Sequence, residues 1–212
     1  MSTPILLLHG WLGDPGALGA LPELLAADGH RVLPVFRRYD SWPRRKRLED
    51  LAEELDAALR REKVLANLEA PLVIVAHSMG GLVARAWMWQ FYAARAVKPP
   101  VERLIEAGSP RHGLHLRGLG RAAIGLGLVP GTALARQMTA PNPFLWELAW
   151  AEAEHPQLWP DVVALAGVTG RSTALAWAAG GEESDAVVPA VFSQPNAAFL
   201  TPGKPPRHGR RQ

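Results

Sequence analysis

The chain has 212 residues, carries 23 basic and 20 acidic side chains, and has a formal net charge of +3. This length suits one domain, residues 1–212, with a sizeable hydrophobic core. The sequence contains no cysteine, which excludes disulfides, a thiolate nucleophile and Cys-based zinc sites. Four of the basic residues lie in the Pro-rich C-terminal segment 202–212, which leaves 19 bases against 20 acids elsewhere. The basic balance therefore argues poorly for nucleic-acid binding.

No apolar run approaches the ~18 residues that a membrane-spanning helix needs. The N-terminus enters an apolar run directly, without a basic region or a small-residue cleavage site. These features predict neither a transmembrane segment nor a signal peptide, and we expect a cytoplasmic location.

Six apolar runs without alternation predict strands that are buried on both faces. They cover residues 5–8, 31–36, 72–76, 104–107, 162–168 and 197–200. Helical spacing between them predicts helices over residues 82–94 and 144–153, and an earlier helix whose apolar face holds Leu48, Leu51, Leu55, Leu59 and Ala66. This order predicts an α/β fold, with a mostly parallel sheet covered by helices on both faces.

Residues 108–160 interrupt the alternation and predict a short helical insert between the fourth and fifth strands. Its first part, residues 108–143, is apolar and rich in glycine. Two interpretations stay open for it, a surface helical layer and a lid or wall over an apolar pocket. Trp146 and Trp150 lie four residues apart on one helical face, and we interpret them as core residues.

The segment VAHSMGG places Ser78 between the third predicted strand and a predicted helix. Ala76, Gly80 and Gly81 are small, as a tight strand-to-helix turn requires. Such a turn holds the serine hydroxyl away from the backbone at the carboxyl end of a parallel sheet, where ligands bind. The alternative is a serine that only caps the helix.

The first predicted strand ends in His9 and Gly10, and a glycine-containing loop follows. Acyl transfer needs two N–H groups aimed at the developing oxyanion, and Met79 and Trp11 are placed to supply them. We interpret the His9 side chain as a brace of this loop. His9, Gly10, Leu12 and His77 are the candidate lining of the substrate pocket.

These motifs together resemble the α/β-hydrolases, in particular small bacterial lipases and esterases, and the lipase-like core of GPI-inositol deacylases. LLHGWLGDP is similar to the oxyanion loop of that family, and VAHSMGG to its nucleophile elbow with alanine in place of the first glycine. The segments GSPRHG, APNPFLWELA and ESDAVVP also have counterparts. The resemblance implies a minimal α/β-hydrolase fold of about six strands.

The family order of the triad is serine, then acid, then histidine. The resemblance selects Asp185 as the acid, and His208 is the one histidine that follows Asp185. His208 lies near the end of the basic tail; if it is only a tail residue, His112 or His115 is the next candidate for the base.

The implied activity is hydrolysis of carboxylic esters through an acyl-enzyme, lipase-like or esterase-like, without metal or cofactor. The implied partner is a small acyl ester or a lipid. The basic segment 37–47 lies at the expected rim of the site and is either a solvated loop or a contact for anionic lipid headgroups or a phosphorylated substrate. The alternatives are a thioesterase or acyltransferase with the same triad, and an inactive binding protein with this fold.

Overall fold

The computed structural model describes residues 2–11, 13, 15–33, 45–114, 118–128 and 131–165. Five strands lie within these ranges: β1 (Pro4–Leu8), β2 (Arg31–Val32), β3 (Leu72–His77), β4 (Val101–Ala107) and β5 (Asp161–Leu165). The α-helices are α1 (Leu21–Ala27), α2 (Leu48–Arg61), α3 (Met79–Phe91), α4 (Gly118–Gly125), α5 (Thr132–Gln137) and α6 (Pro143–Glu154). Single 3₁₀ turns occur at Pro15–Leu18, Leu65–Asn67, Ala93–Arg95 and Pro156–Leu158. None of the helices described is long and apolar enough to cross a membrane.

All neighbouring strands are parallel, and the sheet order is β2-β1-β3-β4-β5. The register pairs Leu8 with Ala76 and His77 with Ala107, so β1, β3 and β4 end together at one edge. Ala107 is paired in turn with Leu165 at the end of β5. Loops that follow these four strands therefore leave from the same edge of the sheet.

Helices α2 and α3 form the centre of the core and pack against each other. The leucines of α2 at positions 48, 51, 55 and 59 are fully buried, as the helical spacing predicts. Helix α3 is buried from Met79 to Met88, which is why its sequence is almost wholly apolar. Buried Asp56 joins the two helices because its carboxylate accepts a hydrogen bond of 3.1 Å from Trp87 Nε1.

Helix α2 ends earlier than the apolar spacing predicts. Lys63 has a φ of +53°, and Val64 N donates to the carbonyl of Leu59 across it. This left-handed cap stops the helix at Arg61. Ala66 therefore lies in the following 3₁₀ turn and is exposed, so its placement on the buried helical face is wrong.

The predicted insert is present as α4, α5 and α6 between β4 and β5. Three strand predictions lie outside the described residues: the end of the second strand beyond Leu33, the end of the fifth strand beyond Leu165, and the sixth strand at residues 197–200. Residues 37–44 of the basic segment 37–47 also lie outside them. The core interpretation of the α6 tryptophans is wrong, because Trp146 is 44% exposed and Trp150 is 57% exposed. Leu145 and Leu148 face the core instead, and the indole N–H of Trp150 donates to Glu154 at the surface.

Candidate active site

Ser78 occupies a one-residue turn between β3 and α3. Its backbone angles are φ 52° and ψ −121°, a conformation that residues other than glycine rarely adopt. Such strain persists only where the surrounding structure enforces it, and it is concentrated at functional sites. The side chain makes no capping hydrogen bond to α3, which contradicts the interpretation of Ser78 as a helix cap.

Two backbone hydrogen bonds hold this turn in place. Ser78 N donates to the carbonyl of Ala107 at 2.8 Å, which ties the turn to the end of β4. Gly81 N donates to the carbonyl of Ser78 at 3.2 Å, which closes the first turn of α3. Ser78 thus lies at the edge of the sheet where the strand ends meet.

The glycines after Ser78 allow α3 to approach its neighbours closely. A Cβ atom on Gly80 would lie 2.7 Å from the carbonyl oxygen of Leu8 and 2.8 Å from that of His9. A Cβ atom on Gly81 would collide with the Ser109 hydroxyl and lie 2.6 Å from Glu106 Oε1. Helix α3 therefore begins in direct contact with the end of β1 and with the loop after β4.

The loop after β1 packs against the turn at Ser78. A Cβ atom on Gly10 would lie 3.0 Å from His77 Nδ1 and 3.1 Å from Ser78 Cβ. Gly13 N donates to the carbonyl of Gly10, the residue that lies against Ser78. The Trp11 side chain packs against the core.

Met79 is fully buried as the first residue of α3. Its N–H is one of the first-turn donors that have no carbonyl partner within the helix. The two predicted oxyanion donors thus belong to two segments that touch at Gly10. Leu12, the remaining predicted pocket residue of this loop, lies outside the described residues.

The two predicted pocket histidines occupy different environments. His9 is buried, and its Nδ1 lies 2.9 Å from the carbonyl oxygen of Gly10, so this nitrogen carries the proton and braces the loop. His77 ends β3 and is exposed, with its ring against Gly10. The structure therefore favours a bracing role for His9 and places His77 at the edge of the site.

The predicted acid and base, Asp185 and His208, lie outside the described residues. The last described strand ends at Leu165, whose carbonyl accepts a hydrogen bond of 2.8 Å from Gly108 N, next to the residue that binds Ser78 N. Of the alternative bases, His112 is half-buried in the loop after β4, and His115 is outside the described residues. Within the described parts of the chain, no group of three acidic or histidine side chains could hold a metal ion.

Residues 5–206 of the sequence match the alpha/beta hydrolase family. The chain belongs to this family. No curated protein sequence matches it significantly. The turn at Ser78 joins a strand to a helix, the same local arrangement as the nucleophile elbow of α/β-hydrolases.

Solved structures of lipolytic enzymes share this α/β-hydrolase fold. Phospholipase PlaB from Legionella pneumophila, in complex with thio-NAD, superposes with a TM-score of 0.73 and 22% identity over 92% of this chain. The present chain spans only 44% of the length of that PlaB chain. The mature lipase BlEst2 from Bacillus licheniformis superposes with a TM-score of 0.64 and 19% identity, covering 91% of this chain and 79% of its own.

This α/β-hydrolase also contains a buried ion-pair cluster that was not predicted from its sequence. Arg85 of α3 donates from Nε to Glu152 of α6 at 2.6 Å, and from Nη1 to the carbonyl of Arg111 at 3.3 Å. Arg111 pairs in turn with Glu106 and with Glu152. Arg85 is the one charged residue between Met79 and Phe91 of α3. A single charge in an otherwise apolar helix was the sequence feature that could have predicted a buried ion pair.

Burial and the neighbouring charges shift the pKa values of Arg85 and Arg111 in opposite directions. Burial, followed by the neighbouring Arg111 charge, lowers the pKa of Arg85 from its ordinary value. Burial also acts to lower the pKa of Arg111, but the carboxylates of Glu106 and Glu152 together outweigh it, and the pKa is raised. Guanidinium groups stay charged in proteins, so the cluster holds two cations that face two carboxylates.

Proposed function

We propose that this α/β-hydrolase is a serine carboxylic-ester hydrolase that acts on acyl esters through an acyl-enzyme. The observation that carries the proposal is the strained backbone of Ser78 at the junction of β3 and α3. A non-glycine residue in this conformation needs a compensating role, and a nucleophile lifted clear of its own backbone provides one.

In the proposed mechanism, Ser78 Oγ attacks the ester carbonyl while His208 takes the hydroxyl proton. His208 then protonates the leaving alcohol, and Asp185 keeps its ring in the required orientation. The backbone N–H groups of Trp11 and Met79 stabilise the tetrahedral oxyanion. Water attacks the acyl-enzyme with His208 again as the base, which releases the acid and restores Ser78.

We further propose that the substrate carries an apolar acyl chain and is presented at an anionic lipid surface. Residues 113–138 of the insert contain three arginines and no acidic residue. Leu126 and Leu128, which follow α4, are 74% and 72% exposed. Arg136 supports this turn because its guanidinium donates to the carbonyls of Ile124 and Gly125. Exposed leucines in a cationic segment have the chemistry of a peripheral lipid contact.

The proposal is tested with p-nitrophenyl esters of increasing acyl length. Wild-type protein should hydrolyse them, with a preference for chains longer than acetyl, and Ser78→Ala should fall to background at an unchanged melting temperature. Ser109→Ala is the matched control: its buried hydroxyl makes no hydrogen bond to the described residues, so its loss should be nearly neutral. Near-wild-type turnover by Ser78→Ala would remove the nucleophile assignment.

The same assay tests the rest of the triad. His208→Ala, Asp185→Asn and truncation after residue 206 should each lower kcat severely, because triad residues act as a unit. Activity that survives the truncation would move the base to His112 or His115. Turnover of thioesters alone, or transfer to an alcohol acceptor, would favour the thioesterase or acyltransferase alternative, and no reaction in any of these assays would favour the binding protein.

A further inference from the structure

The buried ion-pair cluster consists of Arg85, Glu106, Arg111 and Glu152, and it begins beside the turn at Ser78. Glu106 precedes Ala107, the residue whose carbonyl holds Ser78 N. Its Oε1 atom also faces Gly81 in the first turn of α3, where the helix dipole favours a negative charge. One end of the cluster therefore borders the backbone that sets the position of Ser78.

The other end of the cluster reaches the insert on both sides. Arg111 lies in the loop with which the insert begins, and Glu152 lies on α6, the last helix of the insert. Arg85 of α3 joins them, because it donates to the Glu152 carboxylate and to the backbone carbonyl of Arg111. Within the insert, Leu114 N donates to the carbonyl of Met138, and Ala140 N donates to the carbonyl of Leu114. The cluster thus connects both ends of the insert to α3.

Because the ion pairs are buried, they favour one arrangement of α3, β4 and the insert. Arg85, Glu106 and Arg111 are almost completely buried, and the Glu152 side chain is 14% exposed. A buried ion-pair network generally stabilises a fold no better than well-packed apolar residues would, and its best-supported use is to select one arrangement of the elements that it joins. Arginine suits this use, since its planar donors fix the direction of each partner.

We propose that Arg85, Glu106, Arg111 and Glu152 are positioning residues that hold α3 against β4 and the insert, and thereby direct the Ser78 hydroxyl and the Met79 N–H at the acyl carbonyl. The catalytic part of this proposal rests on the proposed ester hydrolysis. The cluster does not contact the reacting atoms, so its effect should appear in the rate of the chemical step more than in substrate binding.

The test replaces Glu152 by glutamine in the full chain, which keeps the shape and removes the charge that faces both arginines. Glu154→Gln is the matched control, because Glu154 lies on the same helix and is exposed. In Glu152→Gln, kcat for p-nitrophenyl esters should fall about 10- to 100-fold at every acyl length, and KM should stay within about twofold, as misplacement of catalytic groups predicts. Glu154→Gln should match the wild type in both constants.

A second readout does not depend on activity. Amide hydrogen exchange at residues 79–81 should be faster in folded Glu152→Gln than in Glu154→Gln, because the first turn of α3 is then less firmly held. If Glu152→Gln does not fold, Arg85→Lys takes its place. This variant keeps the positive charge but loses the planar array of guanidinium donors, so it should show the same loss of kcat and the same faster exchange.

Unchanged kcat and exchange in the folded variant would overturn the positioning role. A rise of KM that grows with acyl length, with kcat unchanged, would also overturn it, since the cluster would then shape the pocket only. If wild-type protein and Ser78→Ala both hydrolyse no ester, the proposed function fails. Faster exchange at residues 79–81 would in that case still support the structural part of the inference.

Discussion

Replacement of Ser78 by glycine is expected to stabilise this hydrolase while it abolishes catalysis. The Ser78 angles, φ 52° and ψ −121°, are those of the first central residue in a type II′ turn, which glycine dominates. A Cβ atom at this position is strained, and Ser78→Gly removes it. Ser78→Ala keeps the Cβ atom and therefore keeps the strain.

The expected size of the effect follows from two opposing contributions. Residues held in such sparsely populated regions cost about 1–3 kcal/mol each. Glycine loses more backbone entropy on folding, which opposes the gain by about 0.5–1 kcal/mol. The net stabilisation should be about 1 kcal/mol, and a domain of this size should then unfold about 2–4 °C higher.

Thermal unfolding followed by circular dichroism measures this difference among wild type, Ser78→Gly and Ser78→Ala. Ala57→Gly serves as a control of opposite sign: Ala57 is exposed in the middle of α2, where glycine should lower stability by about 1 kcal/mol. A Ser78→Gly protein that unfolds at or below the temperature of Ser78→Ala would refute the inference of strain at residue 78.

Two further perturbations test the surroundings of the site. Gly80→Ala should lower both kcat and stability, the latter by about 1–3 kcal/mol, because its Cβ would overlap backbone oxygens at the end of β1. A Cβ atom on Gly125 would meet no atom of the described residues within 4 Å, so Gly125→Ala should be neutral or slightly stabilising, and equal losses in both variants would contradict the packing argument. Leu126→Ser with Leu128→Ser should weaken co-sedimentation with phosphatidylglycerol vesicles. Leu24→Ser on α1, which is 61% exposed, should not weaken it, and equal binding by all three proteins would refute the lipid contact.

The core of the fold could be predicted because its signals are local. Strands β1 and β3 are apolar runs, and the turn at Ser78 lies in the short segment VAHSMGG, where small residues flank the serine. The start of β4 was missed by three residues, since Glu102 and Arg103 interrupt its apolar run. The register shifts between Leu72 and Val73 at this point, and both charged side chains are exposed. Val101 is buried, but the two exposed charged residues after it leave no continuous apolar run at the start of the strand.

Other features could not be predicted because they depend on contacts between distant residues. Arg85 and Glu152 are 67 positions apart and meet only when α6 returns to α3. The exposure of Trp146 and Trp150 depends on which face of α6 meets the core. Spacing alone shows that they share a face, not which face is buried.

The strain at Ser78 is sustained by contacts on every side of the turn that the structure describes. If the backbone of Ser78 relaxed, the hydrogen bond to Ala107 would break and the first turn of α3 would move. Gly80 lies against the carbonyls of Leu8 and His9, so movement toward β1 is blocked by backbone atoms. Movement toward the loop after β4 is blocked at Gly81. The Ser78 backbone and the first N–H groups of α3 are therefore held in place by the fold. In the proposed mechanism this favours catalysis, because fixed donors stabilise an oxyanion without reorganisation during the reaction.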